Sequence, residues 1–505
     1  MTTTDLGWLD GVEVQRDEAR GRFAVATRDI SRGEAILREA PLVPPVLHPA
    51  LWGERCSCCF EAQEDAALLR CSRCRLVLYC DKGCQKADWK AAHKHECAAL
   101  QHPAASLRSG DGCAATRQSR LSSALLVGRV ARKAAAREAV AAVLVAAPAK
   151  CAAEAVAEAA DLVLEIGLGG GLPRAALLLL LRQFQANNFG VMDQLLISVG
   201  AAVFPQGAAL NHSCAHNCAI AYLPRCHTQV IRAIADVRAG EELCHPYVDV
   251  AKPTARRVAQ LEDTYGFACT CERCEDALAG GRWAEVDAAL VAVRDDGRPP
   301  LGGCEHDFGS ISDATLAALQ QQGGGGGGGG DAAVAWRLVP SEAQAVALAR
   351  ADQLCAQAAE AADERAELAL ALRALGARAA VLHPLHASLA EARGHCLQSA
   401  MLAGDWAEAE RQCAFIIRFY QKVYCPGHPL LGLQLFTLGN LLYQRATTAR
   451  DGRFDTAVAM LNHAYDILVA THGEEHPLVH SLVEMHTDAS EKHEAQCQAE
   501  GGRPQ

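Results

Sequence analysis

The sequence predicts an α+β chain of several domains, organised around structural zinc and closed by a helical array. Three observations carry this. Eight cysteine and histidine residues fall in four tightly spaced pairs between Cys56 and Cys97. Short strand-like stretches lie on both sides of that cluster, and the last third of the chain is helical in pattern and repeats itself at 48 residues. At 505 residues the chain has room for two or three domains with real cores.

The zinc cluster reads Cys56-x2-Cys59, Cys71-x2-Cys74, Cys80-x3-Cys84, His93-x3-Cys97. Each pair is spaced to offer two ligands to one metal from a tight turn or one helical turn. Eight thiolates and imidazoles fill two tetrahedral Zn²⁺ shells with no open position, the pattern of structural zinc. Disulfides are the alternative, and nothing in the chain favours them. Met1 to Asp10 has neither a basic n-region nor an apolar core, so no signal peptide is expected there. Most of the 23 cysteines outside the clusters are scattered singly, which suits a reducing compartment. Cys58 and His95 lie inside the cluster but outside its spacing and read as bystanders.

Half of the chain is apolar, largely through alanine, which packs helices. The longest plain apolar runs, Ala139 to Ala149 and Ala175 to Leu181, are too short to span a bilayer. A net charge of −11 argues against strong nonspecific binding to nucleic acid and suits basic protein substrates. Locally the balance reverses. Between Ala66 and Cys97, Arg70, Arg73, Arg75, Lys82, Lys86, Lys90 and Lys94 face only Asp81, Asp88 and Glu96. This stretch is either a solvated face or a weak patch for nucleic acid or an acidic partner.

Gly21 to Val43 alternates apolar and polar residues around a Gly33-Glu34 turn, which predicts a hairpin. Leu121 to Arg182 predicts helices broken near Gly167 to Pro173, and strands resume from Val191 to Val250. Asp276 to Val339, with eight glycines from Gly323 to Gly330, predicts a flexible loop. Beyond it, Trp406-Ala407-Glu408-Ala409 recurs as Phe454-Asp455-Thr456-Ala457. His428-Pro429-Leu430 recurs as His476-Pro477-Leu478, with an earlier His383-Pro384-Leu385. An aromatic followed by alanine is what closely packed helix pairs need, so the tail is either a tetratricopeptide-like array or a plain bundle.

Four strings carry chemistry. Tyr79-Cys80, Cys84-Gln85, Trp89 and His93-x3-Cys97 resemble a MYND finger. Leu210-Asn211-His212-Ser213-Cys214-x2-Asn217-Cys218, Gly240-Glu241-Glu242-Leu243-x3-Tyr247 and Tyr265-Gly266-Phe267-x-Cys269-x-Cys271-x2-Cys274 resemble, in that order, the catalytic half and post-SET tail of a SET-domain methyltransferase. The whole resembles the SET-and-MYND (SMYD) family of lysine methyltransferases. The resemblance implies a split SET β-fold with an inserted MYND finger, a post-SET zinc tail and a C-terminal TPR-like helical array. It divides the chain into a SET N-terminal half (1–50), the finger (51–100), a helical insertion (101–185) and a SET C-terminal half (186–250). The post-SET zinc region (251–280), a linker (281–339) and the array (340–505) follow.

The resemblance also implies site residues. One zinc would take Cys56, Cys59, Cys80 and Cys84, and a second Cys71, Cys74, His93 and Cys97. Cys269, Cys271 and Cys274 are one ligand short of a closed site, and Cys214 would complete a third zinc. The cofactor would be S-adenosylmethionine, held by Gly21, Arg22, Phe23, Asn187, Asn211, His212, Tyr247 and Phe267. Tyr247 would be catalytic, with Phe267 and Tyr265 as channel wall. Three departures stand out. Gly21-Arg22-Phe23 lacks the family's second glycine, so a ring must be placed where backbone approaches the cofactor. His216 stands where proline is usual, and Cys244-His245-Pro246 replaces the usual residues before the tyrosine. His245 reads as structural or rim-lining rather than as a general base.

The leading expectation is an S-adenosylmethionine-dependent protein-lysine N-methyltransferase acting on a histone or non-histone protein. The alternative is a catalytically weak or inactive scaffold that works through protein–protein contacts. Partner peptides are expected at the finger and the array, nucleic-acid binding is expected to be weak or absent, and no membrane is involved. The expected location is the cytoplasm, the nucleus or both.

Overall fold

The computed structural model describes residues 7–18, 20–62, 67–106, 113–148, 151, 153–294, 336–449 and 454–501. The glycine run Gly323 to Gly330 lies outside the described residues. Two compact units are formed, one by Met1–Val248, Val258–Cys269 and Ala470–Leu478, the other by Asp249–Arg257, Thr270–Val469 and Val479–Gln505.

In the first unit, β1 (Gly7–Trp8), β2 (Val12–Asp17), β3 (Gly21–Ala26), β4 (Ala35–Glu39) and β5 (Val46–Leu47) precede the finger. Within the finger, β6 (Leu69–Arg70) pairs with β7 (Leu78–Tyr79). After the helical insertion come β8 (Asn188–Met192), β9 (Ser198–Val203), β10 (Asn211–His212), β11 (Cys218–Tyr222), β12 (Gln229–Ala233) and β13 (Glu242–His245). The sheet orders are β1-β4-β12-β11, β10-β13-β3-β2 and β5-β9-β8.

The expected hairpin over Gly21 to Val43 is not formed. β3 pairs with β2 and β13, whereas β4 pairs with β1 and β12. The cause is Ile30, which is 1% exposed and exchanges backbone hydrogen bonds with Val237 at 2.8 and 2.9 Å. It draws the chain between the sheets. Ala24 and Ala26 of β3 then meet Ile36 and Leu37 of β4 across a shared core with Leu210, Ile231 and Leu243. Alternation identifies a strand's buried face but not its neighbour.

The insertion is helical over Ala114–Ala131, Ala134–Val143, Ala153–Glu165 and Arg174–Asn187. Pro173 stands at the N-cap of the last of these. The finger has no core of its own. Its Tyr79 and cysteines share one apolar cluster with Leu121, Leu125, Val163 and Phe184 of the helices and Val46 and Val199 of the third sheet. A buried ion pair reinforces the junction. Arg129 places Nε 2.7 Å from Glu96 Oε1 and Nη2 2.9 Å from Glu96 Oε2, and its Nη1 donates to the carbonyls of Pro44 and Pro45.

In the second unit, the expected linker from residue 281 onward is corrected at its start. Helices Glu272–Leu278 and Arg282–Val291 are followed by β14 (Val293–Arg294), which pairs with β15 (Trp336–Arg337). Asp276 Oδ2 accepts from the Trp283 N–H at 2.8 Å and starts the second helix. The Arg273 guanidinium lies 3.8 Å over the Trp283 ring. Val293 enters a core with Ala371, Leu375 and Leu389. Helices this short carry too few apolar positions to show a period.

The array runs through Glu342–Ala359, Glu364–Ala379, Ala387–Leu402, Trp406–Val423, Pro429–Ala449, Phe454–His472 and Pro477–Gly501. Both 48-residue recurrences mark helix starts, at Trp406 and Phe454 and at Pro429 and Pro477. The histidine of each His-Pro-Leu has the same job. Its Nδ1 accepts the leucine N–H two residues on, at 3.0 Å for His383, 3.3 Å for His428 and 3.2 Å for His476. At Pro429 and Pro477 proline lacks the first helical donor, so the histidine satisfies the next one, whereas Pro384 lies in a turn ahead of the helix Ala387–Leu402, which His386 caps.

Candidate active site and zinc centres

The eight finger ligands gather into two groups, Cys56, Cys59, Cys80, Cys84 and Cys71, Cys74, His93, Cys97. A third group is Cys214, Cys269, Cys271 and Cys274. In each, the ligand atoms lie within 4.8 Å of one another. Zn–S bonds of about 2.3 Å in a tetrahedron put sulfurs about 3.8 Å apart. The Cys59–Cys80 sulfurs are 3.8 Å apart and the Cys71–Cys97 sulfurs 3.9 Å. His93 Nε2 is 3.3 Å from the Cys71 sulfur and 3.6 Å from that of Cys74. The donor sets therefore fit three closed Zn²⁺ sites. Local structure sets the spacing. Asp81 caps the helix Lys82–Asp88 by accepting from the Cys84 N–H at 2.7 Å, which places Cys84 one turn from Cys80. Cys58 and His95 belong to neither group, and burial pushes the Cys58 thiol up to about 11.

The finger's basic stretch is more one-sided in three dimensions than in sequence. Asp88 is buried and accepts from the Tyr79 hydroxyl at 2.6 Å, and Glu96 is consumed by Arg129. Among its acids only Asp81 stays exposed, beside exposed Arg70, Arg73, Lys82, Lys86, Lys90 and Lys94.

The other site forms where β10 runs parallel to β13, which sets Asn211 against Cys244 and His212 against His245. Asn217 locks this pairing. Its Nδ2 donates to the Glu242 carbonyl at 2.9 Å and its Oδ1 accepts from the Cys244 N–H at 2.8 Å. Tyr247 follows β13. Its N–H donates to His212 Nδ1 at 2.9 Å and its hydroxyl to the Leu210 carbonyl at 2.7 Å. Around the phenol stand Tyr265 at 4.9 Å, His245 at 5.0 Å, His212 at 5.4 Å and Phe267 at 6.4 Å, ring centre to ring centre. Burial raises the phenol above its ordinary range, and Tyr265 adds to the effect. Tyr247 therefore stays protonated at neutral pH.

Gly266 makes the wall possible. It adopts φ +82°, and a Cβ there would fall 2.4 Å from Pro148 Cγ. Only glycine lets the chain turn there between Tyr265 and Phe267.

Gly21 has φ +67°, and a Cβ there would meet nothing within 4 Å, so one side of this strand is open. Phe23 is 3% exposed, under the Arg20 guanidinium at 3.6 Å, so the missing second glycine is accommodated by burying the ring. Burial lowers the Arg22 pKa, and Arg22 Nη2 reaches the Pro205 carbonyl at 3.5 Å. Asn211 Nδ2 donates to Glu242 Oε1 at 3.0 Å and to the Arg20 carbonyl at 3.3 Å. Its Oδ1 acceptor and the open face at Gly21 suit an adenosyl ligand's hydroxyl and amine donors. Asn187 ends the helix Arg174–Asn187, and its Nδ2 donates to the Val145 and Gln183 carbonyls at 2.8 and 2.7 Å.

Two residues of this site were not singled out in the sequence. Phe189 stacks on His245 at 5.7 Å and 28°, and it had a signal, since it directly follows Asn187-Asn188. Leu210, whose carbonyl holds the Tyr247 hydroxyl, had none, because any residue supplies a carbonyl. His245 is 7% exposed, which agrees with the structural alternative and not with the rim-lining one. It packs between Phe189 and Tyr247.

The MYND finger family model matches residues 56–97. N-lysine methyltransferase SMYD2-B of Xenopus laevis is 28% identical over 305 residues, 58% of this chain and 66% of that protein. SMYD2-B of Danio rerio is 29% identical over 282 residues, 53% of this chain and 60% of that protein. The chain thus aligns with about two thirds of these relatives' length or less. Histone-lysine N-methyltransferase ASHR1 of Arabidopsis thaliana is 26% identical over 488 residues, 92% of each chain. Among solved structures, the SET domain of LSMT bound to lysine and AdoHcy covers 97% of this chain at 13% identity, with a TM-score of 0.27, too low to bear on the fold. The matched finger lies between β5 and the helical insertion, and relatives named as SMYD proteins align with more than half of the chain, so the chain is similar to the SET-and-MYND proteins over that length.

Proposed function

We propose that this protein is an S-adenosylmethionine-dependent protein-lysine N-methyltransferase. The observation that carries the reading is the position of the Tyr247 hydroxyl, tied to Leu210 inside a ring of Tyr265, Phe267, His212 and His245. S-adenosylmethionine, when bound, supplies an electrophilic methyl group on a sulfonium. Gly21, Arg22, Phe23, Asn187, Asn211, His212, Tyr247 and Phe267 would hold it. Phe23 and Asn187 act indirectly in this reading, Phe23 by supporting the strand from beneath and Asn187 by fixing the end of its helix.

The chain's task is orientation and desolvation. Methyl transfer needs the amine lone pair in line with the breaking bond, and alignment of this kind lowers barriers by several kcal/mol. The amine nitrogen forms the new bond to carbon, sulfur keeps the old bonding pair, and a proton of the resulting ammonium passes to solvent. An apolar aromatic wall lowers the amine's pKa, so it arrives neutral. With its proton given to Leu210, the Tyr247 oxygen presents lone pairs to the amine N–H groups and to the polarised methyl. The rings hold the methylammonium product by cation–π attraction.

The substrate is the lysine side chain of a histone or non-histone protein, with partner peptides taken up at the finger and the array. Among the described residues, no helix is long and apolar enough to cross a membrane. We place the protein in the cytoplasm, the nucleus or both. The test combines calorimetry with S-adenosylmethionine and a lysine-peptide array read with labelled cofactor. Binding in the micromolar range and label on lysine are expected. Zinc-replete protein that binds no cofactor would turn the reading toward a scaffold.

A further inference from the structure

His245 carries a polar atom that the fold leaves unused. The side chain is 7% exposed, and its Nε2 has no hydrogen-bond partner among the described residues. A buried acceptor left so costs about 1–3 kcal/mol unless a ligand supplies the donor. The Pro246 backbone acts to raise the ring's pKa, as a carbonyl accepting from the other ring nitrogen does. A proline backbone has a carbonyl and no N–H, so that nitrogen, Nδ1, is the donor. Nε2 is therefore a bare acceptor, fixed in that state by the proline.

Its surroundings narrow the donor. The ring lies against Phe189 on one side and the catalytic phenol of Tyr247 on the other, 5.0 Å away. Phe204 continues the apolar wall at 5.8 Å from Phe189. His212 Nδ1 is already taken by the Tyr247 N–H, and the Tyr247 hydroxyl proton by Leu210. The cluster thus presents two acceptors without donors, Tyr247 Oη and His245 Nε2. A neutral primary amine brings two N–H groups, and a monomethylated one brings one.

We propose that His245 Nε2 is the second hydrogen-bond acceptor for the target amine, beside Tyr247 Oη, and that this pair limits the product to monomethyl-lysine. The inference rests on the methyl-transfer reading. An unmodified amine satisfies both acceptors. A monomethyl amine leaves one of them buried and unpaired, and sites built on buried hydrogen bonds discriminate strongly against a ligand that lacks the group.

The experiment has two arms. In the first, ¹⁵N NMR of the zinc-loaded full chain assigns the His245 tautomer, expected to carry its proton on Nδ1. A proton on Nε2 would overturn the proposal. In the second, wild type, His245→Leu and His245→Gln are given a lysine peptide library in unmodified and monomethyl-lysine forms, and products are read by mass. Wild type should turn over the unmodified peptides and stop at one methyl. His245→Leu should lower the ratio of kcat/KM for unmodified over monomethyl peptide by about tenfold or more and yield dimethyl product. His245→Gln keeps an acceptor and should restore part of the ratio, with zinc content and melting temperature reporting that both variants fold. An unchanged ratio in folded His245→Leu sinks the proposal alone. No turnover of any peptide by wild type sinks the transfer reading and this inference with it, a result distinct from an unchanged ratio.

Discussion

The phenol of Tyr247 gives its proton to the backbone carbonyl of Leu210 at 2.7 Å, and Leu210 directly precedes Asn211. One hydrogen bond therefore joins the proposed catalytic residue to the start of the strand that carries Asn211 and His212. The two strings that stand apart in sequence, Asn211-His212 and Leu243 to Tyr247, are one object in the fold.

Tyr247→Phe should cut methyl transfer by about 10²–10³ while S-adenosylmethionine still binds, because a single polar contact to the reacting centre is lost and the ring remains. The Leu210 carbonyl loses its partner, so folding stability should fall by about 1 kcal/mol. Wild-type turnover in the variant would make this tyrosine a packing residue.

Gly266→Ala should damage the wall without touching a side chain of it. The methyl group must enter space held by Pro148, in a backbone conformation that costs a non-glycine residue about 1–3 kcal/mol. We expect a lower melting temperature and reduced turnover together. An unaffected melting temperature would mean that the turn relaxes freely.

Arg129→Met should loosen the finger although no zinc ligand changes. It leaves the Glu96 carboxylate buried, 3% exposed, without its bidentate partner, and breaking such a pair costs about 3–5 kcal/mol. Two carbonyl contacts to Pro44 and Pro45 go with it. The measurement is denaturant unfolding alongside the rate of zinc release to a chromogenic chelator. A wild-type release rate would show that the metals hold the finger without this anchor.

Zinc content should be three ions per chain by elemental analysis. Cys271→Ser should remove one ion and abolish activity more than folding, since the finger's two tetrads do not involve it. A content of two in wild-type protein would leave Cys214, Cys269, Cys271 and Cys274 without a metal.

Side-chain chemistry at fixed spacing was readable in the chain, and spatial partnership was not. The sequence pairs Cys56-x2-Cys59 and His93-x3-Cys97 already state a coordination geometry, because a turn or one helical turn fixes the reach. The 48-residue recurrence falls on helix starts at Pro429 and Pro477, but the same His-Pro-Leu string at His383 stands in a turn, so the string alone does not state a helix. The pairing of β3 and β4 with different sheets depends on where Ile30 is buried, and alternation carries no record of that. The hidden roles of Leu210 and Pro246 are played by backbone carbonyls, which every residue has. For His245 the sequence left structural and rim-lining readings open, because imidazoles are commonly half-exposed. Its burial comes from Phe189, 56 residues away in sequence.

That burial makes a prediction about acid stability. Desolvation lowers the His245 pKa from 6.5 to about 3, with His212 and His216 nearby adding to the effect. The folded protein thus keeps the ring neutral while the unfolded chain takes up a proton below pH 6.5. Stability supplied by this depressed pKa is present above 6.5 and is lost as pH falls from there toward 3. Between pH 7 and pH 5 the loss should be about 2 kcal/mol from this residue. His245→Leu removes the group and should flatten the stability curve over the same interval by that amount, whatever the other histidines contribute to both proteins. Denaturant unfolding of the two proteins at pH 7, 6 and 5 decides it. Parallel curves would mean that the ring reaches water in the folded state, and the acceptor at Nε2 would then be satisfied by solvent.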